Sequence, residues 1–282
     1  MNRAERRRQA KAPGKQLSAP TEAPPRLDLA VIKSRLQQAA SPEEVRRFIA
    51  ALVDQGFPAV AGEELAAYAA QYHETAAALR AGEAAQPVAA LVADAHAWAD
   101  TLIDRSPERD RRACRAGCAF CCYLPTVLVT AAEAVELAAW LHEHCPPADL
   151  EAVRQRLAAR LKSKMVPPPA EAAAEPLPCA LLHDNRCLAY DVRPLKCRGW
   201  TSLRREACEQ SYGHGQSSEQ IPADAYAFVM GNAVLNGLRD GVEQAALDGG
   251  SYDLSAALAR VLDIPDVVQR WRAGERLFEA AL

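Results

Sequence analysis

Glycine is scarce, 14 in 282 residues, and aromatic side chains make up only 6% of the chain. Sandwiches and barrels draw on aromatic and β-branched residues for strands and on glycine for turns. The shortage, beside abundant alanine, argues for helices and against an all-β fold. No stretch of about 18 apolar residues is present to span a membrane. No apolar run follows the basic start, as a secretory signal would require. The sequence also lacks GxSxG, HExxH, a dinucleotide fingerprint and a Walker sequence. These absences predict a cytoplasmic protein with no membrane partner and give no support to the common hydrolase, metalloprotease and nucleotide-binding readings.

The body of the chain also lacks an excess of positive charge. Arg3, Arg6, Arg7, Arg8, Lys11 and Lys15 stand against the single Glu5 near the start, although the whole chain carries a formal −3. The remainder is therefore acidic and has no basic stripe with interleaved aromatics, which argues against a nucleic-acid partner.

What the chain does have is core material. Half of it is hydrophobic and 24% is charged, which suits one sizeable domain or two small ones. Residues 1–27 read as a disordered basic arm and a Pro/Ala-rich linker. Ser41-Pro42-Glu43-Glu44 is a capping box with Pro at the first helical position, opening an amphipathic helix from Val45. Ala-rich helices follow over 62–82 and 86–105, broken at Gly82 and Pro87. Thr130-Ala131-Ala132-Glu133 is a second capping box, and a further helix spans 148–164 before the loop VPPPAEAAAEPLP. Asp184-Asn185 reads as the turn of a short hairpin, and helices resume near Ala223. The predicted fold is mainly α: a helical bundle with a cysteine-rich loop core and at most a short β-hairpin. It comprises an N-terminal helical region, 28–105, a cysteine-cluster metal-binding domain, 106–210, and a C-terminal helical region, 211–282.

Nine cysteines in a reducing compartment argue for metal ligation or redox chemistry over a disulfide framework. Cys114, Cys118, Cys121 and Cys122 form the stretch CRAGCAFCC; Cys179, Cys187 and Cys197 form a second group, with Cys208 beyond it. Such short spacings let several thiolates converge on one soft ion. Adjacent Cys121 and Cys122 are expected to point in different directions, awkward for one tetrahedral ion. One mononuclear site, a multinuclear centre and two sites all fit the count. Thiolates around a cation carry net negative charge, and Arg111, Arg112, Arg115, Arg186, Arg193, Lys196 and Arg198 flank them. Pro194 holds Arg193 extended, so RPLKC presents Cys197 from a fixed backbone. His142 and His144, two apart, face different directions on a helix and read as its solvated end, with Cys145 a packed or free thiol. His183 reads as an exposed turn residue, His214 as part of a flexible loop, and His73 and His96 as packing or solvent-facing groups.

CRAGCAFCC followed by LPTVLVTAAEA, then CALLHDNRCLAYDVRPLKCRGW, resembles the CxxCxxCC cysteine-cluster proteins, a bacterial family described as zinc- or iron-chelating and also called the YkgJ family. Its second motif, C-x(6 to 8)-C-x2-Y-x2-RP-x2-CR, is matched by Cys179, Cys187, Tyr190, Arg193, Pro194, Cys197 and Arg198. The resemblance spans residues 110–210, with a weaker echo in WRAGERLF. It implies that the seven cysteines of the two motifs are metal ligands, with Cys208 outside the core pattern, and that Arg193 and Arg198 lie beside the cofactor. It also implies an iron–sulfur cluster, as thought for a flagellin lysine methylase with this type of motif. Zinc or an iron ion is the alternative. The family supplies a site without a reaction, so an enzymatic role stays open and the partner is an unidentified protein or redox partner.

Two other functions fit parts of the pattern. The first eight residues of CRAGCAFCC match the C-x3-C-x-aromatic-C of radical S-adenosylmethionine enzymes, but these need a barrel of alternating strands and helices that the downstream sequence does not suggest. A thiol redox sensor would use Cys121 and Cys122, or Cys208.

Overall fold

Helices form where alanine and long aliphatic side chains recur at helical spacing, and Ser, Thr or Asp begins several of them. A computed structural model of the protein describes residues 28–80, 86–165, 176–213 and 221–278. The expected basic arm and linker, His214 and most of the Pro-rich loop lie outside them. The chain divides into two units, residues 1–36 and 37–282. Helix α1 (Leu29–Gln38) spans the division, and everything else described below belongs to the second unit.

Its helices are α2 (Pro42–Asp54), α3 (Ala59–Arg80), α4 (Val88–Ile103), α5 (Ala131–His144), α6 (Pro147–Met165), α7 (Leu195–Gly199), α8 (Arg205–Gly213), α9 (Ala225–Gln244), α10 (Leu254–Val261) and α11 (Val267–Arg272). The chain is mainly helical, as its composition predicts. Ser41 caps α2 by accepting from Glu44 N, 3.2 Å, while the Glu44 carboxylate takes the Ala40 N–H one residue further out. Thr130 and Glu133 form the complete capping box of α5. On α4 the buried residues recur at helical intervals from Val88 through Leu91, Val92, Ala95 and Ala99 to Leu102. Helix α5 is buried on nearly every face along Ala131–Ala138, as a helix through the centre of a core must be.

Helix α9 packs on α3, α4 and α7. Close approach to α3 depends on Gly237 and Gly241: a Cβ at Gly237 would stand 2.6 Å from Tyr68 O, and one at Gly241 2.6 Å from Thr75 Cβ. Beside them the Tyr68 hydroxyl donates to Asp240 Oδ2, 2.7 Å.

The expected hairpin is present. Strands β2 (Leu182–His183) and β3 (Arg186–Cys187) are antiparallel with Leu182 opposite Cys187. Asp184 and Asn185 turn between them at φ 47° and 58°, the left-handed pair that a two-residue hairpin uses. A further ladder that the sequence reading did not include joins β1 (Leu128–Thr130) to β4 (Ser251–Asp253), antiparallel, with Val129 opposite Tyr252. Three residues per strand are too few to show a period of two. Among the described residues these two pairs are the only ladders, so no barrel of alternating strands and helices is present. WRAGERLF is anchored in the core at its two ends: Trp271 and Phe278 are fully buried, Trp271 Nε1 donates to Asp248 O and Tyr252 stacks on Phe278. No helix among the described residues is long and apolar enough to cross a membrane.

Candidate functional site

The first cysteine loop is built from local turns. Gly117, at φ +82°, lets the chain reverse so that Cys118 N donates to Arg115 O, 3.0 Å. Phe120–Tyr123 is a 3-10 turn, closed by Cys122 N on Ala119 O and Leu124 N on Cys121 O. Within it the Cys121 and Cys122 thiols strongly perturb each other's ionisation. Their interaction lowers Cys121, against burial and with help from Arg193, and raises Cys122, whose burial acts in the same direction.

The second group is tied to the first through the backbone. Cys179 N donates to Cys122 O, 2.6 Å, Leu188 N to Leu181 O along the hairpin, and Cys197 N to Pro194 O, 2.8 Å. Glu133 Oε1 accepts from Leu195 N, 2.7 Å, and so fixes the start of α7, which carries Cys197. Ser202 N donates to Cys114 Sγ, 3.2 Å, and Ala113 N to Ser202 O, 2.8 Å. Helix α8 brings Cys208: its Tyr212 meets Tyr123 edge-on, ring centres 4.9 Å apart, and its Arg205 lies over Phe120.

Charge on Cys121 acts on Cys114, Cys122, Cys179, Cys187, Cys197 and Cys208. Cys118 acts on Cys114 and Cys208. The eight sequence-selected thiols are therefore one electrostatic group, including Cys208, which the motif alone did not cover. Burial, the largest influence, pushes Cys114, Cys179, Cys187, Cys197 and Cys208 up, Cys187 to about 11. Cys145 stands apart at the end of α5, with Asp149 as its charged neighbour.

The flanking cations divide by role. Arg193 lies over the Tyr190 ring, 4.4 Å, and its charge favours the thiolates of Cys121, Cys187 and Cys197. Its Nε is buried without a hydrogen-bond partner. Arg198 is turned to other acceptors: Nε to Arg193 O, 2.9 Å, Nη1 to Asp100 Oδ2, 2.6 Å, and Nη2 to Asp191 O. It fixes the backbone that carries the second motif. Arg112, read from sequence as a charge beside the thiols, binds buried Asp224 at 2.9 Å, and Lys196 meets Asn232 and the Phe228 ring.

Sequence reasoning missed two arginines on α6. Arg160, only 6% exposed, donates to Leu124 O, Pro125 O and Leu177 O, joining the ends of both cysteine loops; Arg156 Nε takes Ala180 O, 2.7 Å. A signal was present: Arg160 falls on the buried stripe of Val153 and Leu157, where a cation signals carbonyls to be satisfied. Of the histidines, His183 is exposed at the hairpin, His142 meets Leu262 O, His144 stacks on Trp140, and His96 is buried in the core.

Among the described residues no three His, Cys, Asp or Glu side chains are arranged to hold a metal ion. The donor chemistry itself fits a soft cation, since the cluster is all sulfur and Arg193 leaves a buried N–H for an anionic acceptor. Ligation by these thiols requires their deprotonation. Compared with family models, curated proteins and solved structures, the chain has no significant match.

Proposed function

We propose that the clustered thiols hold a metal centre, an iron–sulfur cluster ahead of zinc or an iron ion. The protein would act in the reducing cytoplasm in a redox or accessory role with an unidentified protein or redox partner. One observation carries this reading: thiols from separate stretches of chain converge electrostatically on Cys121. Cys121, Cys122, Cys179, Cys187 and Cys197 would supply ligands on one side, and Cys114, Cys118 and Cys208 on the other. Bound there, an iron–sulfur cluster supplies electron-transfer chemistry and zinc a structural cross-link. The chain's own part is to hold the loops through Arg156 and Arg160 and to offset anionic sulfur with Arg193. Cys114 and Cys121 are exposed, which leaves an edge open to a partner. The motif resemblance supports the same reading.

Substituting Cys187→Ser or Cys197→Ser is expected to release metal and lower the thermal midpoint, whereas Cys145→Ser keeps both. Metal analysis of anaerobically purified protein reads this directly, and unchanged metal in both cluster variants contradicts the proposal. Absorption spectra of the same samples separate the metals: charge-transfer bands support iron, and a colourless protein with stoichiometric zinc rejects the cluster.

The coupled ionisation of Cys121 and Cys122 favours a second reading, a thiol redox sensor. Hydrogen peroxide would take two electrons from the pair, giving a disulfide and two waters. Alkylation of metal-free protein should then label Cys121 first, and uniform labelling of the cluster rejects this reading.

A further inference from the structure

Hydrogen bonds sort the clustered cysteines into two sets. Ser202 N donates to Cys114 Sγ, 3.2 Å, and Ser202 Oγ to Arg204 O, 2.9 Å. The Cys208 thiol meets that same Arg204 carbonyl, 3.7 Å. The turn at 202–204 therefore holds Cys114, from the first loop, on one side with Cys208, from α8. A different set of bonds gathers the others. Cys179 N donates to Cys122 O, 2.6 Å, and Leu182 N to Cys179 O, 2.9 Å, while Leu182 stands opposite Cys187 in the hairpin.

Charge divides the same way. Cys118 acts on both Cys114 and Cys208, whereas Cys179 acts on Cys122, Cys187 and Cys197. Each set has its own cations: Arg205, over the Phe120 ring, interacts with Cys118, and Arg156 and Arg160 favour the Cys179 thiolate. Cys121 acts on members of both sets.

We infer that the centre is divided into two metal sites that share the Cys121 sulfur, one completed by Cys114, Cys118 and Cys208, the other by the second motif. The inference rests on the metal reading above and specifies how the thiols are shared out. A tetrahedral ion takes four sulfurs. With Cys121 shared, the first site has those four, and Cys122, Cys179, Cys187 and Cys197 give the second at least as many. A single four-sulfur ion leaves half of eight clustered thiols without a cation, and like charges at close range disfavour that state. A thiolate between two soft cations spreads its charge over both, which suits the one thiol that acts on both sets.

The test is a titration of the reduced, metal-free full chain with Co²⁺ under anaerobic conditions, followed by sulfur-to-cobalt charge-transfer absorption. The wild-type chain should bind two equivalents. The double variant Cys114→Ser with Cys208→Ser should keep one, as should Cys187→Ser with Cys197→Ser, and the retained site shows that each variant folds. In the wild type the second equivalent should lower the high-spin cobalt paramagnetic resonance signal per ion, because a bridging sulfur couples the two spins. One equivalent in the wild type, loss of all cobalt from a double variant with an unchanged circular dichroism spectrum, or a signal proportional to cobalt through both equivalents overturns the inference and leaves the metal reading in place. Absence of cobalt–sulfur absorption from the wild type rejects that reading and the two sites with it.

Discussion

Removing the Arg160 guanidinium leaves carbonyls of Leu124, Pro125 and Leu177 without the donor that now joins them. Each unsatisfied buried group costs about 1–3 kcal/mol, so Arg160→Met should destabilise the protein by at least about 2 kcal/mol in urea unfolding and loosen both cysteine loops. A change within about 0.5 kcal/mol, as for an ordinary surface site, would show that the carbonyls find water instead. Cysteine positions were legible because thiols at short spacings have few other uses in one chain. The residues that hold their loops were not, because Arg160, Arg156 and Glu133 act through backbone groups far away in sequence.

Helix pairing depends on where side chains are absent. At Gly237 and Gly241 on α9 an added methyl would meet α3 backbone or side-chain atoms at 2.6 Å, so the helices must part. Gly237→Ala and Gly241→Ala should each cost about 1–3 kcal/mol, although alanine is the better helix former by about 1 kcal/mol. A raised thermal midpoint in either variant would contradict this packing. The Thr130–Glu133 capping box, the Ser41 cap of α2 and the Asp184-Asn185 turn are local, and their sequence signals predicted their structure. The α3–α9 contact and the β1–β4 ladder join segments more than 100 residues apart, and no local pattern marks them.

For the molecule as a whole, two buried carboxylates set the response to acid. Burial alone would raise Glu133, but His96 beside it and the Thr130 and Leu195 amides outweigh burial and hold it low. Asp224, which caps α9, is likewise held low against burial by Ala227 N, Ser106 and Arg112. Both folded values lie below the unfolded ones, so both stabilise the fold above the ordinary carboxylate range, about pH 4. That contribution is lost as pH falls through and below it. The urea midpoint should therefore drop between pH 6 and pH 3, and the double variant Glu133→Gln, Asp224→Asn should show a smaller drop from a lower start. An equal drop in both proteins would assign the acid response to other groups. The central claim, that one cluster of thiols holds a metal, is tested most directly by X-ray absorption at the metal edge of the anaerobically purified chain. Stoichiometric metal with a sulfur first shell is expected, at about 2.3 Å if the metal is zinc. A first shell of nitrogen and oxygen alone, or a protein that takes up no stoichiometric metal, would contradict it.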